Sequence, residues 1–121
     1  MKFLKYLLSL TFLCFSLSIF AQKQLPNVSL RTLEGETINA QDLGKEDKIR
    51  VISFWATWCG PCKKELDAIA DLYPDWQEEY DMDLVAISID TRRSFSRVPG
   101  VVESKGWEYV ILNGNEDEVR N

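Results

Sequence analysis

The stretch Ile49-Arg50-Val51-Ile52-Ser53-Phe54-Trp55-Ala56-Thr57-Trp58-Cys59-Gly60-Pro61-Cys62 carries a strand into a helix, and its reading decides the fold. Ile49 to Trp55 is rich in β-branched and aromatic residues and too apolar to alternate cleanly. That is the pattern of a strand buried on both faces of a parallel sheet. Pro61 suits the first helical turn, where no amide donor is needed, and Gly60 is expected to let the backbone turn tightly into it. Cys59 then follows the strand directly, and Cys62 lies in the first turn of the helix.

Downstream, Leu66, Ile69, Tyr73, Trp76 and Tyr80 recur every three or four residues with acidic residues between them, which predicts one amphipathic helix kinked at Pro74. Leu84 to Ile89 predicts a second buried strand. Pro99 to Lys105 predicts a short helix ended by Gly106, leading to a strand over Glu108 to Leu112. Upstream, Leu25 to Leu30 reads as extended, Glu34-Gly35-Glu36 as a turn and Thr37-Ile38 as a returning strand, together an N-terminal hairpin. After the hairpin the order is β-α-β-α-β, an α/β domain without repeats or linkers.

Two cysteines three positions apart suit redox chemistry better than a structural staple, because a bridge across two intervening residues removes little entropy from the unfolded chain. Residues three apart on a helix have Cα atoms roughly 5 Å apart, within disulfide range. The unpaired amides and positive dipole end of a helix start favour a thiolate, the attacking species. Cys59, nearer the exposed edge, is the expected nucleophile, and Cys62 the group that attacks the resulting mixed disulfide. A zinc site needs about four ligands, and the chain has no histidine. Haem attachment needs a histidine after the second cysteine, where Lys63 stands. No metal or other cofactor is expected.

Met1, Lys2 and Lys5 precede an almost unbroken apolar run from Tyr6 to Phe20, closed by Ala21-Gln22. This reads as a signal peptide over residues 1–21, cleaved after Ala21, with an extracytoplasmic domain over residues 22–121. The alternative is a retained membrane anchor, for which the run is short against the roughly twenty residues that span a bilayer. Cys14 is expected to leave with the leader. The chain holds 14 basic against 19 acidic residues, and the leader takes two of the lysines, so nucleic acid is not an expected partner.

The segment from Phe54 to Glu65, with Trp58 before the first cysteine, Gly60-Pro61 between the two and Lys63-Lys64-Glu65 after, resembles the active site of the thioredoxin superfamily, specifically its exported TlpA/ResA-like branch. The resemblance implies a thioredoxin-like three-layer sandwich with the N-terminal hairpin, Cys59 attacking and Cys62 resolving. It places Ser53 where thioredoxin has a buried aspartate, and Glu65 where the TlpA/ResA-like branch has a functional glutamate. Trp58, Gly60 and Pro61 are expected to face the partner. It also implies a later strand opened by a cis-proline, then a strand and a helix. No proline follows Pro99, so the sequence is expected to lack that final β-β-α element, leaving one edge of the strand Ile49 to Trp55 unpaired.

The function so implied is dithiol-disulfide exchange with exported proteins, reduction being favoured over oxidation because no histidine lies between the cysteines to stabilise the thiolate further. A membrane thiol-transfer protein would supply the reducing equivalents. One competing reading is a thiol peroxidase, framed by Thr57 but lacking the preceding proline. Another is a non-catalytic truncated thioredoxin-like module. Arg92, Arg93 and Arg97 read as a solvated loop.

Overall fold

A computed structural model describes residues 1–7 and 24–114. The leader's cleavage point, Cys14 and the residues after Gly114 lie outside the described residues. Among those described, no helix is long and apolar enough to cross a membrane.

The hairpin is present. Strands β1 (Ser29–Thr32) and β2 (Thr37–Asn39) pair antiparallel with Leu30 opposite Ile38. Gly35 takes φ +90 in the turn, a left-handed conformation that favours glycine. A short 3-10 turn, Ala40–Gly44, leads to β3 (Ile49–Trp55), α1 (Gly60–Ala70), α2 (Tyr73–Tyr80), β4 (Met82–Ser88), α3 (Val98–Lys105) and β5 (Val110–Asn113). The sheet order is β2-β1-β5-β4-β3, with β3, β4 and β5 parallel and β1 antiparallel to β5.

The two β-α-β crossovers step the same way across the sheet, and right-handed connections then put their helices on one face. Leu66 of α1, Tyr73 of α2 and Val98 of α3 accordingly share one core cluster with Leu84, Ala86 and Ile111. The other face buries Leu30, Val85, Ile87 and Leu112 under Ala40, Leu43 and the segment around Leu25 and Val28. Neighbours along β4 thus alternate between the two cores, as the strand period of two demands. This α/β architecture has the thioredoxin-like layering expected, with the 3-10 turn Ala40–Gly44 and irregular chain rather than an α-helix over the second face of the described domain.

Two expectations need correction. It is β4, not β3, that is buried on both faces. In β3, Val51 is 44% and Phe54 is 52% exposed. The cause is position, because β3 is the last strand in the order and pairs only with β4 among the described residues. Its apolar sequence reports side chains that seek cover, not side chains that have it. The single kinked helix is instead two, broken at Asp71-Leu72. Pro74 lacks an amide and its ring would clash with the carbonyl of Ala70, so the chain stops and restarts with Pro74 in the first turn of α2. Tyr73 is buried as the periodicity requires, whereas Tyr80 at the end of α2 is exposed. The short helix α3 ends at Gly106, in the left-handed conformation at φ +65, as its sequence predicts.

Candidate active site

The strand β3 ends at Trp55, which is buried edge-to-face against Trp107 with ring centroids 5.1 Å apart. Its carbonyl accepts the Ile89 amide at 2.8 Å, so strand pairing continues to the last residue. Ala56 and Thr57 are buried in the turn that follows. The Cys59 amide donates to the Ala56 carbonyl at 3.0 Å and closes that turn.

Cys59 is the N-cap of α1. It is extended at φ −90, ψ 95, and its sulfur accepts the Cys62 amide at 3.3 Å. A cysteine thus occupies the role that Ser, Thr or Asp usually fills at a helix start, with a free amide and the dipole's positive end aimed at its sulfur. The two cysteines are joined as a disulfide with Cα atoms 5.4 Å apart. Both are half-buried, while Trp58, Gly60 and Pro61 are exposed around them. Pro61 stands in the first turn as expected. Gly60 differs from expectation: its φ is not positive, and a Cβ built on it meets nothing within 4 Å. The turn is made by Cys59 and Pro61, without a glycine requirement at position 60.

Other side chains hold α1 from its far side. The Tyr109 hydroxyl donates to the Leu66 carbonyl at 2.6 Å, and Trp107 Nε1 donates to Asp67 at 2.9 Å beside the Lys105 ion pair at 2.6 Å. Burial, reinforced by negative charge from Tyr73, Asp67 and Asp71, pushes the Tyr109 phenol up to about 12. The Lys105 hydrogen bond, with that from Trp107, holds Asp67 below the ordinary carboxylate range against the upward pull of desolvation.

Ser53 is half-buried in register with Ala86. Glu65 is exposed on α1, three residues past Cys62, and makes no hydrogen bond or ion pair. Arg92, Arg93 and Arg97 are exposed; the first two lie in a turn, whereas Arg97 ends a 3-10 helix, Phe95–Arg97, that leads into α3. Among the described residues no group of three or more acidic, cysteine or histidine side chains is placed to hold a metal ion.

The sequence reading ended the strand at Ile89 and did not single out Asp90. It is 1% exposed and accepts from the Thr57 amide at 2.9 Å, the Thr57 hydroxyl at 2.6 Å and the Ser88 hydroxyl at 2.6 Å. The signal was an aspartate directly after the mostly apolar stretch Leu84 to Ile89. Thr57, the residue a peroxidase reading would employ, has its hydroxyl committed to this carboxylate.

A model described as the AhpC/TSA family matches residues 21–121. The chain is 37% identical over 68 residues to the thiol-disulfide oxidoreductase ResA of Bacillus anthracis, covering 56% of this chain and 38% of that protein. It is 40% identical over 68 residues to the thioredoxin-like protein YneN of Bacillus subtilis (strain 168), covering 56% of this chain and 36% of that one. The chain therefore spans well under half the length of these curated relatives. Among solved structures, an uncharacterized thioredoxin-like protein from Porphyromonas gingivalis superposes with a TM-score of 0.70 at 43% identity, covering 80% of this chain and 64% of that one. StoA from Bacillus subtilis, at 23% identity and a TM-score of 0.58 over 80% of this chain and 71% of its own, shares the fold.

Proposed function

The chain belongs to the AhpC/TSA family, and on that premise we propose that it is a thiol-disulfide oxidoreductase exchanging dithiols and disulfides with other proteins through Cys59 and Cys62. The observation that carries the reading is the helix-capping sulfur of Cys59, bonded to Cys62 and facing its amide. In the reduced protein the Cys59 thiolate attacks one sulfur of a partner disulfide. The partner's S–S bond breaks, its other sulfur leaves as a thiolate and takes up a proton, and a Cys59-partner mixed disulfide forms. Cys62 then loses its proton and attacks the Cys59 sulfur, expelling the partner's second thiolate. Two electrons have passed to the partner, whose second thiolate takes up the proton that Cys62 lost, and the chain is left as the disulfide seen here.

Reduction is the favoured direction, because the thiolate's support is the helix start and one amide, with no histidine between the cysteines. Glu65 is the proposed proton carrier for Cys62. It lies one turn along the same helix, exposed and free of ion pairs. The exposed rim of Trp58, Gly60 and Pro61 is the proposed partner-binding face, the indole supplying broad apolar contact. The apolar leader pattern supports a signal peptide over residues 1–21, a domain over 22–121 acting outside the cytoplasm on exported proteins, and re-reduction by a membrane thiol-transfer protein.

The test is reduction of insulin disulfides driven by dithiothreitol, using the Cys14→Ser chain so that only the pair reacts. Activity above the uncatalysed rate, abolished by Cys59→Ser, is expected. Cys62→Ser should retain attack but accumulate the mixed disulfide. Consumption of hydrogen peroxide without insulin reduction would replace this reading with a peroxidase. Glu65→Gln should alter the pH profile of insulin reduction at constant fold, and an identical profile would leave Glu65 a surface residue.

A further inference from the structure

A carboxylate removed from water is expensive unless every lone pair it presents is met by a donor. Asp90 is held by neutral groups alone. Around it stand the Thr57 amide and the Thr57 and Ser88 hydroxyls. A carboxylate only accepts, and each of these groups donates. Burial pushes the Asp90 carboxyl up, yet the hydrogen bonds from Ser88 and from the Thr57 hydroxyl and amide more than offset it, so its pKa lies below the ordinary range.

The placement of these bonds gives them a purpose. Thr57 is the centre of the turn between β3 and α1, and it is gripped by main chain and side chain at once. The anchor is itself fixed. The Asp90 amide donates to the Ser88 hydroxyl at 3.1 Å, Asn113 at the end of β5 donates to Ser88 and to the Asp90 carbonyl at 3.4 Å each, and the Gly114 amide donates to the Ser88 carbonyl at 2.9 Å. The Asp90 carboxylate thus ties the turn after β3 to Ser88 at the end of β4, and the end of β5 braces Ser88 and the Asp90 main chain in turn; the next residues along the turn are Trp58 and Cys59.

We infer that Asp90 is a positioning residue for the Cys59 loop, its carboxylate clamping Thr57 so that the Cys59 sulfur is held against the Cys62 amide and within closing distance of the Cys62 sulfur. The inference rests on the proposed exchange chemistry and adds to it a residue outside the Cys59–Cys62 motif. The step it governs is intramolecular: attack of the Cys62 thiolate on the Cys59 sulfur of a mixed disulfide. Such steps depend steeply on alignment, a misplacement of about 1 Å costing on the order of a hundredfold. Asn in place of Asp90 keeps the shape but turns one acceptor into a donor against groups that donate.

The test separates the two steps with the coloured aromatic disulfide dithionitrobenzoate on the reduced full chain carrying Cys14→Ser. Attack by Cys59 breaks the reagent's S–S bond and releases the first coloured thiolate. Closure by Cys62 breaks the mixed disulfide and releases the second. Asp90→Asn should slow the second release about tenfold or more relative to the first. Thr57→Val should slow it in the same direction, Thr57→Ser should restore it, and adding Thr57→Val to Asp90→Asn should produce less than the product of the single effects. Val98→Ala, a buried truncation in α3, provides a chain of lowered stability whose closure rate should stay at wild type. Should Asp90→Asn not fold, the Thr57 pair decides. A wild-type chain that releases two thiolates, with Asp90→Asn or Thr57→Val closing at the wild-type rate, overturns the positioning role alone. A wild-type chain that releases none overturns the exchange reading and this inference with it.

Discussion

Replacing Tyr109 by Phe should destabilise the protein at neutral pH and stabilise it in strong alkali. Tyr109 is 6% exposed, and its hydroxyl reaches the Leu66 carbonyl at 2.6 Å, one turn past Cys62 on α1. That bond is second to the helix's own, so its loss lies near the middle of the ordinary range, about 1 kcal/mol. For a domain of this size the melting temperature should fall by about 4–8 °C. The alkaline effect has the opposite sign. Burial first, then the negative charge of Tyr73, Asp67 and Asp71, raises the folded phenol from its ordinary 10.0 to about 12. The folded state therefore favours the neutral phenol, and its contribution is complete below pH 10 and lost as the pH rises through the folded value. By linkage that loss reaches about 1 kcal/mol near pH 11 and about 2 kcal/mol near pH 12. A phenylalanine has nothing to ionise, so the two stability curves should cross near pH 11. Urea unfolding of the oxidised wild type and Tyr109→Phe from pH 7 to 11.5 measures both limbs, and titrating groups not coupled to the phenol cancel in the difference. Curves that stay parallel across that range would refute the account of Tyr109 as a buried, neutral strut.

Leu66→Ala removes a side chain with 0% exposure from the core beneath α1 and should cost about 2–5 kcal/mol, read as a melting temperature lower by about 10 °C or more. Gly60→Ala should fold and remain active, with stability unchanged or raised by up to about 1 kcal/mol, because φ is ordinary there and the added methyl meets nothing; a large loss would contradict the described turn. Asp67, lowered chiefly by Lys105, contributes stability that is present above the unfolded carboxylate value and lost as the pH falls through the folded one. Asp67→Asn should therefore flatten the acid limb of thermal stability below about pH 4, and an unchanged limb would assign that loss elsewhere.

The elements whose signals are local were legible in the sequence. Proline at a helix start, glycine at a helix end and a glycine turn between short strands each act through one or two residues, and α1, α3 and the hairpin stand where those residues place them. Cys59 and Cys62 belong to this class, since their separation is fixed by helix geometry. What stayed hidden depends on residues far apart in the chain. The grip of Asp90 on Thr57 crosses 33 positions, and that of Tyr109 on Leu66 crosses 43. Each needs the sheet order before it can be seen. The reading of β3 failed for a related reason. Apolar content measures how strongly side chains seek burial, and strand order decides whether the chain at hand supplies it. Ile52 and Phe54 beside Ile87 line an apolar hollow with Leu25, Val28 and Leu43, and among the described residues the strand that carries the cysteine loop pairs on one edge only, with Val51 and Phe54 about half exposed. The rigidity of that loop then has to come from its end, where Trp55 is locked against Trp107 and Thr57 against Asp90. A strand that stands at the sheet edge among the described residues can present a well-fixed cysteine because Trp55 at its end and Ala56 and Thr57 after it are buried, whereas Ile49 at its start is exposed.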